Sequence, residues 1–300
     1  MLKKAAKKIL DTVLEDLGHP ATLINLLKVE KSLSRHLSEP VKVIAAGEVV
    51  QWQLFGELPF EGHHLGPGHL YGWTYSPGSH RDFGFTTLFR EDLASFGTET
   101  IVREWSCEIQ DVAGFSSSKS DLRLFKTTDA MVEKNSREMI EQISQEKLEE
   151  NLSWDEISIT SSGASDSFAI WDWDGRVFLS NSGGSHHFAA AKYIAKRIGV
   201  EIPLFGTLHR YGINQVALAS LRRDFDIFVM SWSSLQKMPF HNAMANIKAT
   251  YYCKNLPYPH QDQAAIFLPK DEAKSAKVAG LLRGAGLQDL GEYLTNLSKR

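Results

Sequence analysis

The sequence predicts an α+β (mixed α/β) fold, and three observations predict it. Helical periodicity at the start of the chain gives way to β-branched and aromatic runs after Val41. Strand-like and helix-like segments alternate from Glu156 onward. A Gly183-Gly184 corner joins a strand-like run to an alanine-rich helical one. Three hundred residues are long for one core and suit two subdomains or one elaborated α/β unit. The division expected is 1–117, helices plus a strand- and loop-rich region, and 118–300, an α/β domain, with Gly114 to Ser120 as the linker.

The elements follow in order. Leu2, Ala6, Ile9, Leu10, Val13, Leu14 and Leu17 repeat at helical spacing and stop at Gly18, and a second helix is expected from Ala21 to Leu37, before Pro40. Val41–Ala45, Glu48–Phe55 and Ile101–Ile109 read as strands, with a long loop rich in Gly, Pro and His from Gly56 to Arg90. Lys134–Leu148 has the pattern of a charged amphipathic helix. Glu156–Thr160 is strand-like, and Ser167–Trp173 and Arg176–Leu179 form a hairpin about Asp174-Gly175. Then come a helix over His187–Ile198 closed by Gly199, a strand over Ile202–Leu208, a helix over Gln215–Arg223 and a strand over Asp226–Trp232. Ala264–Leu268 is the last strand, before helices at Asp271–Arg283 and Leu287–Leu297.

Composition narrows the classes. Apolar residues make up 43% and charged residues 23%, ordinary for a globular chain, and 16 Phe and seven Trp can fill a sizeable core. A formal charge of −3 gives no global field toward nucleic acid, which makes it an unlikely partner on charge alone. Cys107 and Cys253 stand far apart in no metal-like spacing, which points to a reducing compartment. The first helix carries Asp11, Glu15 and Asp16 beside its lysines, unlike a secretory or transit leader, and no run approaches the ~20 apolar residues of a membrane span. A cytoplasmic protein with no membrane partner is expected.

The segment richest in chemistry runs from Asn181 to Ala191. Two glycines let backbone amides approach a bound group with no Cβ in the way. The first turn of the following helix leaves N–H groups without intrahelical acceptors and gathers partial positive charge. An anion there satisfies both. Gly183, Gly184, Ser185, His186 and His187 are therefore the expected phosphate-binding residues, with His186 and His187 also candidates for acid–base catalysis. The plain alternative is a tight turn in which Ser185 only caps the helix. Ala190, Ala191, Ile194, Ala195 and Ile198 would face the sheet, with Lys192, Lys196 and Arg197 turned out.

The run from Asp174 to Leu208 resembles the core of the ParB/sulfiredoxin-like superfamily. The resemblance lies in Gly184-Ser185-His186-His187, then Phe188–Ala191, then Glu201-Ile202-Pro203-Leu204, with Lys134–Leu148 similar to the helix that precedes the turn in that group. It implies a turn that binds nucleotide phosphates, in a group that includes nucleotide-dependent switches, small-molecule kinases and nucleases. Two departures stand out. His187 replaces an arginine of the family pattern, which weakens bidentate phosphate binding. Ser185 stands where sulfiredoxins carry cysteine, which excludes that redox chemistry.

Outside the turn, Arg210 follows a strand whose end could share an edge with Gly184 and so reach the phosphate. Asp172, Asp174 or Asn181 could hold Mg2+ with a nucleotide, although Asp174 is also the natural hairpin residue. His63, His64, His69 and His80 fall in the long loop, where a lid is favoured over a metal site, so no metal ligands are assigned. No Ser-His-Asp or Cys-His arrangement and no Walker pattern stands out. Three functions remain open: an enzyme hydrolysing or transferring a phosphoryl group of a small phosphorylated ligand or nucleotide; a non-catalytic ligand sensor with a protein partner; and a nuclease.

Overall fold

Largely buried apolar runs build strands such as 225–231 and 263–269, and the computed structural model describes residues 14–15, 19–30, 33–34, 36–59, 66–78, 82–157 and 167–299. The expected first helix, His63, His64, His80 and most of the expected strand 156–160 lie outside these residues; Glu156 and Ile157 are not in a strand. The fold is α+β, with ten strands in two five-stranded sheets among the described residues.

The strands are β1 His69–Tyr75, β2 Phe83–Phe89, β3 Gly97–Glu108, β4 Val112–Phe115, β5 Ser167–Trp171, β6 Val177–Ser180, β7 Pro203–Ile213, β8 Phe225–Ser231, β9 Tyr251–Asn255 and β10 Gln263–Pro269. The helices are α1 Ala21–Val29, α2 Glu91–Ala94, α3 Thr128–Asn135, α4 Gln145–Leu152, α5 Ser185–Ile198, α6 Gln215–Asp224, α7 Trp232–Leu235, α8 Met238–Ile247, α9 Ala273–Gly284 and α10 Leu290–Leu297.

The chain divides into two units that a single cut between 117 and 118 does not separate. One unit comprises residues 1–38, 51–97 and 213–299; the other comprises 39–50 and 98–212, with residue 300. In the first, the sheet runs β2-β1-β9-β10-β8. The expected loop 56–90 contributes the antiparallel pair β1 and β2, with Tyr71 opposite Thr87. The strand expected at Glu48–Phe55 is instead two short 3-10 turns, Ala46–Glu48 and Trp52–Leu54. Tyr71, Phe228, Phe240, Tyr251 and Ile266 form the centre of this unit's core.

The second unit holds the sheet β3-β7-β5-β6-β4. Here β5 and β6 are antiparallel, with Ser167 opposite Ser180, and Gly175 turns the hairpin at φ 76°. β5 is parallel to β7, and β4 is parallel to β6. The single helix expected over Lys134–Leu148 is broken. α3 ends at Asn135, a 3-10 turn covers Arg137–Ile140, and Ser144 starts α4 by accepting the Lys147 N–H at 3.3 Å. Serine at a helix start satisfies an orphan amide that would otherwise face water. The break brings the side chains of Asn135 and Ser136 against Ser120 and His186.

Helix α5 buries Phe188, Ala189, Ala190, Ala191, Ile194 and Ala195 against a core that includes Phe115, Phe168 and Leu208. Small side chains let α3 and α4 approach it closely. Gly199 closes α5 in the left-handed region, as expected. Lys192 is not turned out: its ammonium donates to the Val112 carbonyl, and burial pushes its pKa down.

Candidate functional site at the glycine turn

Strand β6 ends at Ser180, and the next residue is buried. Asn181 is 6% exposed and ties the turn to the segment after β4. Its Nδ2 donates to the Ser117 carbonyl at 3.0 Å and to the Gly183 carbonyl at 2.7 Å, and its Oδ1 accepts the Ser117 N–H at 3.3 Å. Its own N–H donates to Ser116 Oγ at 3.0 Å. The stretch expected as a linker is thus pinned to the turn: Gly114 and Phe115 belong to β4, and 116–120 form one wall of a cleft.

Gly184 begins α5 at φ 71°, with no side-chain cap on the helix. A left-handed φ costs a residue with a Cβ roughly 1–2 kcal/mol, so glycine is required here. Ser185 does not cap the helix. Its hydroxyl is 4% exposed and donates to Ser118 Oγ at 2.8 Å.

The cleft at this corner has a volume of about 460 Å³, within the range of small-ligand sites. Lys119, Glu138, Trp154 and Glu156 line it with the serines, the glycine turn and both histidines. The Gly184 amide is not open as the sequence led us to expect. The Glu156 carboxylate accepts the Gly184 N–H at 2.7 Å, and a Cβ on Gly183 would lie 2.6 Å from Glu156 Cδ. At this corner a carboxylate of the same chain takes the amide donor. The Trp154 indole N–H and the Gly184 amide together hold the Glu156 carboxyl below its ordinary range.

The two histidines have different surroundings. His186 Nε2 lies 3.0 Å from Ser120 Oγ, and its Nδ1 makes a short contact with Ser136 Oγ. Asn135 Nδ2 donates to Ser120 Oγ at 2.6 Å. Ser136 is buried at 1% exposure, and Ser120 faces the cleft. A neutral imidazole donates through one nitrogen and accepts through the other, so it can receive one hydroxyl proton while donating to the other oxygen.

His187 stacks on Trp154 with centroids 4.2 Å apart and planes 11° from parallel. Its Nδ1 lies 3.1 Å from Asn151 Oδ1. Asn151 Nδ2 donates to the Met139 and Lys147 carbonyls, so its Oδ1 is left to accept from His187 Nδ1–H. That places the free lone pair of His187 on Nε2. Burial pushes the pKa of both histidines down, with Glu138 opposing at His186 and Glu156 at His187. Both rings are therefore neutral at neutral pH.

Arg210 is not brought to this site. β6 runs antiparallel to β5, which is parallel to β7, so the C-terminal ends of β6 and β7 lie at opposite edges of the sheet. Arg210 instead pairs with Asp172 at 2.6 Å. Asp174 is held by Arg176 at 2.7 Å, and Asn181 by the backbone contacts above, so the three residues considered for Mg2+ do not converge. Among the described residues, no group of three or more His, Cys, Asp or Glu is arranged to hold a metal. His69 sits beside the Gly66 carbonyl at 3.0 Å.

Ser120, Asn135, Ser136, Asn151, Trp154 and Glu156 were missed as site residues. Nothing in their local patterns marks them, although the serine-rich 116–120 run could have suggested a wall of hydroxyls.

The class is thus an α+β protein with a hydroxyl-lined cleft at a strand–glycine–helix corner. The chain belongs to a family of unknown function, DUF6685, which it matches over residues 102–300, and every residue of the cleft falls within that match. No curated protein and no solved structure matches the chain. No helix among the described residues is long and apolar enough to cross a membrane.

Proposed function

We propose that the cleft binds a small phosphorylated molecule, a nucleotide being one candidate, and that the protein hydrolyses or transfers its phosphoryl group. The observation that carries this reading is the Glu156 carboxylate on the Gly184 amide. An oxyanion already sits where unpaired helix-start amides gather positive charge, and a phosphate oxygen can exchange with it. In this reading Gly183 and Gly184 admit the phosphate to the backbone, and the first-turn amides of Ser185, His186 and His187 complete the cradle. Lys119 supplies cationic charge at the rim, and neutral His186 serves as general base.

Mg2+ accompanying a nucleotide belongs to the same proposal, although Asp172, Asp174 and Asn181 each have other partners in the structure. The order β6, glycine turn, α5, β7 is in keeping with the ParB/sulfiredoxin-like resemblance. A cytoplasmic location fits a nucleotide ligand.

The test is a thermal-shift panel of nucleoside phosphates, sugar phosphates and inorganic phosphate, followed by assay of released phosphate. Stabilisation by a phosphate ester that disappears in Glu156→Trp, whose bulk fills the corner, supports binding. A panel with no stabilising member refutes it.

A second reading, a non-catalytic sensor, is favoured by the short segment 154–156. Trp154 packs on His187 while Glu156 holds Gly184, so a ligand that displaces the carboxylate also disturbs the stack. Ligand binding with unchanged affinity in His186→Ala, and no product from the parent chain, would select the sensor. A nuclease is the third reading, and a gel shift absent at low salt would end it.

A further inference from the structure

We propose that Ser120 is a nucleophile activated by His186, so that a phosphate ester bound in the cleft passes its phosphoryl group through Ser120. The inference rests on the proposal that the cleft takes a phosphate ester, and it adds a covalent intermediate that the glycine turn alone does not require.

The cleft contains several hydroxyls, and their partners distinguish them. Ser118 Oγ accepts from Ser185 Oγ and from the Ser120 N–H, and among the described residues no imidazole hydrogen-bonds to it. Ser136 is enclosed, at 1% exposure. Ser136 also borders the cleft and touches His186 Nδ1, but Ser120 is the partly exposed hydroxyl of the two and lies 3.0 Å from His186 Nε2. Asn135 Nδ2 occupies one acceptor site on Ser120 Oγ, and in the His186 tautomer protonated on Nδ1 the hydroxyl proton points at Nε2. The proton on Nδ1 then points at Ser136 Oγ, which fixes the ring as the third member of a triad does. Ser136 is uncharged, so it orients the ring without strongly stabilising an imidazolium. The Asn135 amide, at 2.6 Å, can stabilise negative charge developing on Ser120 Oγ.

The chemistry balances with water as the co-reactant. Ser120 Oγ bonds to phosphorus as the bond to the leaving oxygen breaks. The hydroxyl proton moves to His186 Nε2 and from there to the leaving alkoxide. Water then attacks phosphorus and gives its proton to Nε2, the bond from phosphorus to Oγ breaks, and Oγ takes that proton. The net result is an ester and water giving an alcohol and inorganic phosphate.

The test uses the full chain and diisopropyl fluorophosphate, whose phosphorus is attacked with loss of fluoride. One adduct, mapped by peptide mass to Ser120 and absent in Ser120→Ala, is the expected result. His186→Ala should slow labelling at least about a hundredfold. Circular dichroism establishes that each variant folds, and Ser120→Ala, which changes a partly exposed loop side chain, remains informative if His186→Ala does not fold.

An unlabelled wild-type chain, or an adduct on Ser118 or on His187, overturns the proposal. The thermal-shift panel separates the two failures. Phosphate esters that stabilise a chain with no adduct leave the binding reading standing and remove the nucleophile. A Ser120 adduct on a chain that no phosphate stabilises retains the nucleophile and removes the phosphate ligand.

Discussion

Asn181 provides the sharpest test of how the cleft is held together. Its side chain makes three hydrogen bonds to backbone groups of Ser117 and Gly183, joining the serine wall to the glycine turn. A net value of about 0.5–1.5 kcal/mol per bond gives about 1.5–4.5 kcal/mol for Asn181→Ala. Ser117 is exposed, so water replaces part of what is lost, and the expected cost is about 2 kcal/mol.

Asn181→Asp is more demanding, because a carboxylate meets two carbonyl oxygens where Nδ2 had donated. Burial and those oxygens raise the folded-state pKa of the new acid above its unfolded value. Its neutral form, which can donate, is therefore favoured by folding. The Asp variant should approach the Ala variant in stability below pH 4 and fall below it as pH rises through the raised pKa. Urea unfolding across pH 4–8, followed by tryptophan fluorescence, measures this. A cost under about 0.5 kcal/mol for Asn181→Ala, or an Asp variant with no pH dependence relative to it, would show that the asparagine does not hold the two walls together.

Three further outcomes follow from the same geometry. Trp154→Ala exposes the His187 ring, so the pKa that burial depresses should rise toward 6.5, read by proton NMR of the imidazole; an unchanged value refutes the role of the stack. Both histidines are lowered in the folded chain, so the unfolded chain binds more protons below about pH 6.5. Stability should therefore fall as pH drops from there, flatten below the folded values, and lose part of that slope in His186→Asn, measured by urea unfolding at stepped pH. Arg210→Ala breaks a pair whose side chains are 60% and 37% exposed, so it should cost under about 1 kcal/mol and leave phosphate-ester binding unchanged; lost binding would return Arg210 to the site.

How far the sequence could be read depended on how local the determining contacts were. The hairpin about Gly175, the helix closed by Gly199 and the late strands follow from turn residues and period, and their boundaries shifted by only a few residues. The region 41–90 was misread because Gly72 and Gly84 fall inside β1 and β2 and prolines lie close outside them, while their pairing is fixed by partners across the sheet. Tyr71, for example, lies opposite both Thr87 and Cys253. β9 and α8 were passed over entirely, although Tyr251 and Phe240 carry much of their unit's core. Arg210 was misplaced by assuming that neighbouring strands run parallel, which the reversed β6 contradicts. At the site, the histidines and glycines were visible as a contiguous run. Their partners were not, since Ser120 and Ser136 are 66 and 50 residues from His186.

The Gly183-Gly184 pair shows why a glycine motif underdetermines its ligand. Absence of a Cβ says that something approaches the backbone, and here that something is a side chain of the same chain. Adding a Cβ at Gly183 would meet the far end of Glu156, a flexible group that can swing away. Gly183→Ala should therefore change the melting temperature by no more than a degree or two while evicting the carboxylate from Gly184. Having lost the amide donor, Glu156 should titrate closer to 4.5, and the freed amide should bind inorganic phosphate more tightly than in the parent chain. Carbon-detected NMR of the Glu156 carboxyl measures the first effect and phosphate titration the second. A carboxyl that keeps its lowered pKa would mean that the Trp154 indole, the larger influence on it, holds the carboxylate in place without the turn. An evicted carboxylate with no gain in phosphate affinity would mean that the corner accepts its own side chain but not a free anion, and the case for a phosphate ligand would fail there.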